Sequence, residues 1–282
     1  MRILFVGDVV GRAGRAALTA RVPELRRQLA LDAVVVNGEN AAGGYGLTPK
    51  IADEFFAAGV DAITLGNHAW DQRELVAHVE REPRIVRPLN LPPGAPGSGV
   101  AEVTTARGQK LVVAQVLGRL FMALADDPFR ALDEALRPYA LGGTAQAVLV
   151  DLHAEATSEK MALGHFLDGR ASLVAGTHTH VPTADARVLP GGTAFVTDVG
   201  MTGDYDSVIG MDKEGSVRRW RGGMPGPRLE PAAGEGTLCG VYVETDDRTG
   251  LALRVEPVRL GGALAQAVPA VEAAIPAPAE AA

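Results

Sequence analysis

Hydrophobic positions along this chain come in short solid blocks. Ile3-Leu4-Phe5-Val6, Ala33-Val34-Val35-Val36, Val60 to Leu65 (interrupted only by Asp61 and Thr64), Ala147-Val148-Leu149-Val150 and Ser172-Leu173-Val174-Ala175 have no polar face. Apolar runs of this length, bounded by turn residues, read as strands buried on both sides, as in a parallel sheet. Helical patterns separate them. An Ala/Leu/Arg-rich helix follows the link Gly11 to Gly14 and runs to about Ala30, where Pro23 should break or kink it. Thr48 has N-cap chemistry with Pro49 at the first helical position, and that helix ends near Gly59. Asp71 and Glu74 have capping-box spacing for a helix through Val79, and Ser158 to Leu167 is helical. Alternation of strands and helices predicts the α/β class.

The pattern changes from Arg84 to Gly118. Val100 to Thr105 and Lys110 to Leu117 read as strands joined by the turn Ala106-Arg107-Gly108-Gln109, and residues 118–140 as a surface helical connection. After Asp185 the chain reads as β near Thr193–Thr197, Thr237–Glu244 and Leu251–Val258, with a glycine- and charge-rich loop region between. No repeat or long linker divides the sequence. One domain is therefore expected over 1–262, followed by an Ala/Pro-rich tail, 263–282, without fixed structure.

Composition narrows the function. An apolar fraction of 47% over 282 residues supports a large core, with no apolar run long enough to span a membrane. The first residues enter a strand directly, without a leader pattern, and the one cysteine, Cys239, rules out an internal disulfide. The expected setting is the reducing cytoplasm. A net charge of −7 without a basic stripe argues against general nucleic-acid binding. Few aromatics make surface base-stacking platforms unexpected. A small phosphorylated ligand stays open, because bound metal can reverse the local field in an acidic protein. No membrane partner is expected, and a homo-oligomer stays open.

The candidate chemistry sits at strand ends. Asp8, then Glu39 and Asn40, then Asn67 and His68, then His153, then His178 and His180 each follow an apolar run. These residues account for four of the six histidines; His78 and His165 fall in helix patterns as surface or boundary residues. Each candidate also has a plain reading: Asp8 or Asn40 as a turn residue, Glu39 as a solvated charge, His153 as a core histidine, Asp71 as a cap. Together they are hard to explain by packing. In a βαβ chain the strand ends converge on one edge of a sheet, and alternation would put the rings of His178 and His180 on one face. Carboxylate, amide and imidazole donors without thiolates suit manganese, iron or zinc. So many donor residues exceed one tetrahedral site. Gly7, Gly11 and Gly14 do not form G-x-G-x-x-G, which disfavours a dinucleotide fold.

Gly7-Asp8, Gly38-Glu39-Asn40, Gly66-Asn67-His68, His153 and Gly176-Thr177-His178-Thr179-His180 follow the motif order of the calcineurin-like metallophosphoesterases, which the chain resembles from Met1 to about Gly262. More closely, Asn37 to Gly44, Gly66 to Asp71, Asp151 to Lys160 and Gly176 to Val181 are similar to the YmdB-like branch. Val10 stands where the wider superfamily has the histidine of Asp-x-His, and Glu39 stands for its bridging aspartate, as in that branch. The resemblance implies a four-layer α/β/β/α sandwich with metals at the carboxyl ends of two facing sheets. It implies that Asp8, Asn40 and His180 bind a first ion, that Asn67, His153 and His178 bind a second, and that Glu39 bridges them. Iron or manganese is the expected pair. A hydroxide held between the ions would attack phosphorus in line, and His68, assigned no metal, would protonate the leaving oxygen.

The implied substrates are small phosphodiesters, with 2′,3′-cyclic nucleotides such as 2′,3′-cAMP first. Two divalent ions, two carboxylates and a hydroxide leave the centre at about +1, which matches a diester monoanion. A phosphomonoesterase or protein phosphatase would want further cations, which Arg12, Arg87 and Arg170 could supply if turned inward. A regulatory scaffold stabilised by metal, with incidental turnover, is the alternative from another class.

Overall fold

The expected apolar runs do become strands, and they are divided between two sheets. The structure, a computed structural model, describes residues 1–222 and 228–270. In chain order it contains β1 (Arg2–Val6), α1 (Gly11–Gln28), β2 (Ala33–Asn37), α2 (Pro49–Ala57), β3 (Ala62–Thr64), α3 (Arg73–Val79) and β4 (Ile85–Val86). Then come β5 (Val100–Thr104), β6 (Lys110–Leu117), α4 (Pro128–Leu136), β7 (Ala147–His153), α5 (Thr157–Phe166) and β8 (Leu173–Thr177). The remainder is β9 (Arg187–Val188), β10 (Ala194–Val196), β11 (Gly203–Asp204), α6 (Lys213–Gly222), β12 (Gly236–Thr245) and β13 (Ala252–Leu260).

The first sheet has the order β11-β12-β1-β2-β3-β4, with β13 paired to β12; the second has β5-β6-β7-β8-β10-β9. β1, β2, β3 and β4 pair in parallel, as do β6, β7, β8 and β10. Strand alternation then sorts side chains into layers. Ile3, Phe5 and Val35 face inward with Val113, Leu149 and Val241, filling the space between the sheets. Leu4, Val6, Val34 and Val36 face outward onto Leu18, Val22 and Phe55 of α1 and α2. Val148, Val150 and Val174 of the second sheet pack on Leu132 and Leu163 of α4 and α5. Two helical layers thus enclose two sheets, giving the four-layer α/β/β/α sandwich.

Several local expectations are corrected. The five ligand-bearing ends do not share one sheet edge: three belong to the first sheet and two to the second. α1 starts at Gly11, inside the presumed link, and continues through Pro23, because buried Leu18, Val22 and Leu25 anchor it on both sides of the proline. The charge-rich region read as loop contains α6, a polar helix whose only buried residue is Ser216. Two-residue β9 and β11 escape periodicity analysis because they exist only through pairing with β10 and β12. Thr48 caps α2 as expected, accepting from the Ile51 N–H. Asp71 caps nothing: α3 begins at Arg73, and its N-cap, Gln72, makes no side-chain cap bond. Among the described residues no helix is long and apolar enough to cross a membrane.

The stretch assigned to a tail does not begin at 263. Residues 263–270 turn back along β13, with reciprocal backbone bonds between Arg259 and Ala267 and a bond from the Arg254 guanidinium to the Ala270 carbonyl. Residues 271–282 lie outside the described residues. Ending the chain after Ala270 should leave thermal stability unchanged. Ending it after Gly262 removes the paired return, and should lower Tm by about 2–6 °C at roughly 1 kcal/mol per net bond lost. Equal melting temperatures for the two truncations in calorimetry would contradict this.

Candidate metal centre

The parallel strands aim their carboxyl ends at one rim, and the candidates collect there from both sheets. Asp8 follows β1, Glu39 and Asn40 follow β2, and Asn67 follows β3, while His153 ends β7 and His178 and His180 follow β8. Ligand atoms of Asp8, Glu39 and His180 lie within 4.8 Å of one another, and so do those of Glu39, His153 and His178. Glu39 belongs to both groups.

The second group is tight. His153 Nε2 lies 2.9 Å from Asn67 Oδ1, 3.2 Å from Glu39 Oε1 and 3.1 Å from His178 Nδ1. The first group carries unspent acceptors: Asp8 Oδ1 and Asn40 Oδ1 are buried with no hydrogen-bond donor among the described residues. Asp8 Oδ2 accepts from the His178 N–H, and Asn40 Nδ2 donates to the Gly44 carbonyl, so the unpaired oxygen of each is the atom left to ligate. A buried carboxylate or amide oxygen without a donor is costly unless a cation takes it. The residues present therefore fit metal binding.

Burial pushes the Asp8 carboxyl up to about 6, against the pull of His180 and His153. Burial raises Glu39 too, but His153 and the His68 ring and amide outweigh it and bring the group down to about 2. Burial disfavours charge on His153, yet Glu39, Asp8 and Asp151 outweigh this and lift it to about 9. His178 is held down, to about 3, by burial and by His153 beside it. A proton on His153 would balance the carboxylates, and a bound cation would compete with it.

Neighbouring groups hold the three candidate histidine ligands. His153 Nδ1 lies 2.8 Å from Thr177 Oγ1, whose hydroxyl donates at 2.6 Å to Asp151 Oδ1. The hydroxyl has one proton to give, so Nδ1 is the donor to it and Nε2 faces the ligand group. Asp151 Oδ2 also accepts from Asn37, Thr64 and Gln115. His180 Nδ1 donates to the Ile209 carbonyl at 2.8 Å, and Glu155 lies 3.4 Å from His178 Nε2. Buried Lys160 donates to the Thr177 carbonyl and to Asp198, which in turn accepts from Thr179 and Gly200 and so holds the loop carrying both histidines. Of this shell, Asp151 gave a signal, a carboxylate inside an otherwise apolar strand. Lys160 ends a stretch similar to the YmdB-like branch, but Asp198 gave no signal, because their pairing joins α5 to the loop after β10.

Alternation does not place His178 and His180 together. β8 ends at Thr177, and both histidines have left-handed backbones, φ 95° and 66°, which send the rings into different groups. His68 stands apart from both groups. Its amide donates to Glu39 Oε2 at 3.1 Å, and its Nδ1 lies 2.7 Å from Asp71 Oδ2, so Asp71 serves the histidine and not the helix. Arg87 is spent on the carbonyls of Pro88 and Pro96 and Arg170 pairs with Asp133, so neither joins the centre, while Arg12 is exposed at the start of α1.

Gly66 is required by close approach. A Cβ there would lie 2.0 Å from Glu39 Oε2 and 2.7 Å from His153 Cε1. Gly66→Ala should fold but push Glu39 out of place, and elemental analysis of the purified variant should find most of its metal gone. Full metal occupancy would show that the site adapts.

Comparison with known proteins gives a consistent picture. The family model described as "YmdB-like protein" matches residues 4–258. The chain is 48% identical to a Bacillus subtilis (strain 168) protein named 2′,3′-cyclic-nucleotide 2′-phosphodiesterase, over 92% of this chain and 96% of the other. A crystal structure of a Thermus thermophilus protein described as hypothetical superposes with a TM-score of 0.86 at 46% identity, covering 93% of this chain and 100% of that one. A Mycoplasma pneumoniae structure described as a novel phosphatase gives a TM-score of 0.86 at 35% identity, with 93% of each chain covered.

Proposed function

The chain belongs to the YmdB-like family of the calcineurin-like metallophosphoesterase superfamily, and from that premise we propose that it hydrolyses small phosphodiesters, 2′,3′-cyclic nucleotides first, at a centre of two metal ions. The observation that carries the reading is Glu39, whose carboxylate is common to both donor groups. Asp8, Asn40 and His180 would hold one ion and Asn67, His153 and His178 the other. Oxygen and imidazole donors suit iron or manganese. When bound, such ions polarise phosphoryl oxygens and make water a nucleophile near neutral pH.

The protein's own residues supply position and protons. Donors from both sheets orient the phosphorus so that water attacks opposite the ester oxygen that leaves. Asp71 holds His68 by Nδ1, and Nε2, which makes no hydrogen bond to the described residues, is the atom that gives its proton to that oxygen. One P–O bond forms to water and one ester P–O bond breaks, leaving a monoester. We take the 2′ bond as the one broken, following the name of the Bacillus relative. The engagement of Arg87 and Arg170 elsewhere favours a diester monoanion over a monoester dianion. Buried Cys239, the chain's one thiol, suits the reducing cytoplasm.

Metal-loaded protein should convert 2′,3′-cAMP to 3′-AMP and incorporate one oxygen from labelled water, while phosphopeptides turn over far more slowly. Preference for the phosphopeptide would install the phosphatase reading. Slow turnover of every diester, with metal-dependent partner binding, would install the scaffold reading.

A second expectation isolates His68. His68→Ala should keep its metal and lose roughly 10²–10⁴ in turnover of cyclic nucleotides, whose alkoxide needs a proton. It should lose much less on bis-nitrophenyl phosphate, whose nitrophenolate leaves unaided. Equal losses on both substrates would exclude the acid role, and loss of metal would make His68 a ligand.

A further inference from the structure

Beside His68 stands an aromatic ring that the chemistry above does not use. Tyr45 meets the His68 ring edge-on, with centroids 5.5 Å apart and planes at 83°. The other side of the environment is cationic: the Arg228 guanidinium carbon lies 3.8 Å above the Tyr45 ring centroid. Arg228 is exposed and pairs with no carboxylate among the described residues. It is a cation over the ring that flanks His68.

The position of Tyr45 is built, although the sequence 41–46 reads as a flexible loop. Gly44 N–H donates to the Asn40 carbonyl, Gly46 N–H to the Glu39 carbonyl and Ala42 N–H to the Gly46 carbonyl. Gln72 Nε2 donates to the Tyr45 carbonyl at 2.7 Å. Gly46, at φ 78°, is so close that a Cβ would lie 2.9 Å from Gln72 Cγ and 3.2 Å from Asp71 Cβ. The loop carrying Tyr45 therefore locks onto the segment whose Asp71 holds His68, and onto the ligands Glu39 and Asn40. Ring, acid and metal ligands form one unit.

Chemistry assigns that ring a partner. In a 2′,3′-cyclic nucleotide the leaving oxygen belongs to the ribose that bears the base. A substrate that offers this oxygen to His68 must project its base on the His68 side, where Tyr45 stands. Resting on the cyclic-nucleotide reading, we infer that Tyr45 and Arg228 form the nucleobase subsite: the base stacks on the Tyr45 ring face, and the exposed guanidinium moves aside to clasp it. Scarcity of aromatics excludes a platform for a polymer but not for one base. A weak exposed cation–π contact yields readily to a flat base with more area to cover. Purines, with the larger face, gain most.

The test compares 2′,3′-cAMP with base-free methyl ribose 2′,3′-cyclic phosphate on metal-loaded protein. Tyr45→Ala should lower the ratio of the two kcat/KM values about tenfold, through KM for the nucleotide. Arg228→Gln should lower the ratio about threefold. Tyr45→Phe should preserve it, since the ring and not the hydroxyl is used. An unchanged ratio in either of the first two variants, as when both substrates suffer equally, overturns the subsite. Should the wild type hydrolyse neither substrate, the cyclic-nucleotide reading fails, and binding by calorimetry decides the inference separately. Adenosine 3′-monophosphate binding more tightly than ribose 3-phosphate to the wild type, but not to Tyr45→Ala, supports the base subsite; no such preference in the wild type overturns it.

Discussion

Glu39 and His153 come from different sheets, and their side chains meet at 3.2 Å with almost no solvent access. The centre depends on that meeting. A carboxylate and an imidazole buried at this distance require each other's charge or a shared cation, because neither is stable alone in a dry interior. The apolar layer of Ile3, Phe5, Val35, Val113 and Leu149 fixes the sheet spacing that brings them together. Below this seam Asp151, on the second sheet, takes donors from Asn37 and Thr64 on the first, extending the polar contact inward.

Holding so many polar groups in the interior is expensive, and the structure meets the cost locally. Burial pushes the Asp151 carboxyl up, and His153 with several hydrogen-bond donors opposes the rise without cancelling it. Lys160 is completely buried yet fully occupied by Asp198 and a carbonyl; removing one partner of such a pair typically costs about 3–5 kcal/mol. His178, His180 and Ile209 have left-handed backbones, each costing about 1–3 kcal/mol outside glycine. Two of these aim candidate ligands, and the third presents the carbonyl that fixes His180. Three of the five non-glycine left-handed residues among the described residues, and the buried Lys160–Asp198 pair, thus stand at or beside the site.

This concentration also shapes the proposed chemistry. Arg87 and Arg170, which could have favoured a dianion, are held by other partners, so positive charge would come mainly from metal. His68, tied to Asp71 and lying outside both donor groups, is free for proton transfer. Tyr45, tied to the same segment, sits where a leaving group with a base would extend. One short stretch, Gly66 to Gln72, thus links a candidate ligand, the proposed acid and the support of the aromatic ring.

The sequence by itself determined the class of fold and the candidate ligands. Solid apolar runs of this length, bounded by turn residues, read as buried strands, and donor residues within three positions after Val6, Asn37, Leu65, Leu152 and Thr177 stand at their carboxyl ends. Periodicity is a local property, however, and could not say which strands share a sheet; it pointed to one edge where there are two. Nor could it find α6, β9 or β11, the Lys160–Asp198 pair, or the true service of Asp71, whose spacing imitated a capping box. It also left the first residues of the tail without their partner, Arg259. Each of these rests on contacts between residues far apart in the chain or on backbone angles forced by packing. Sequence spacing identifies a donor; only the tertiary structure decides what that donor faces.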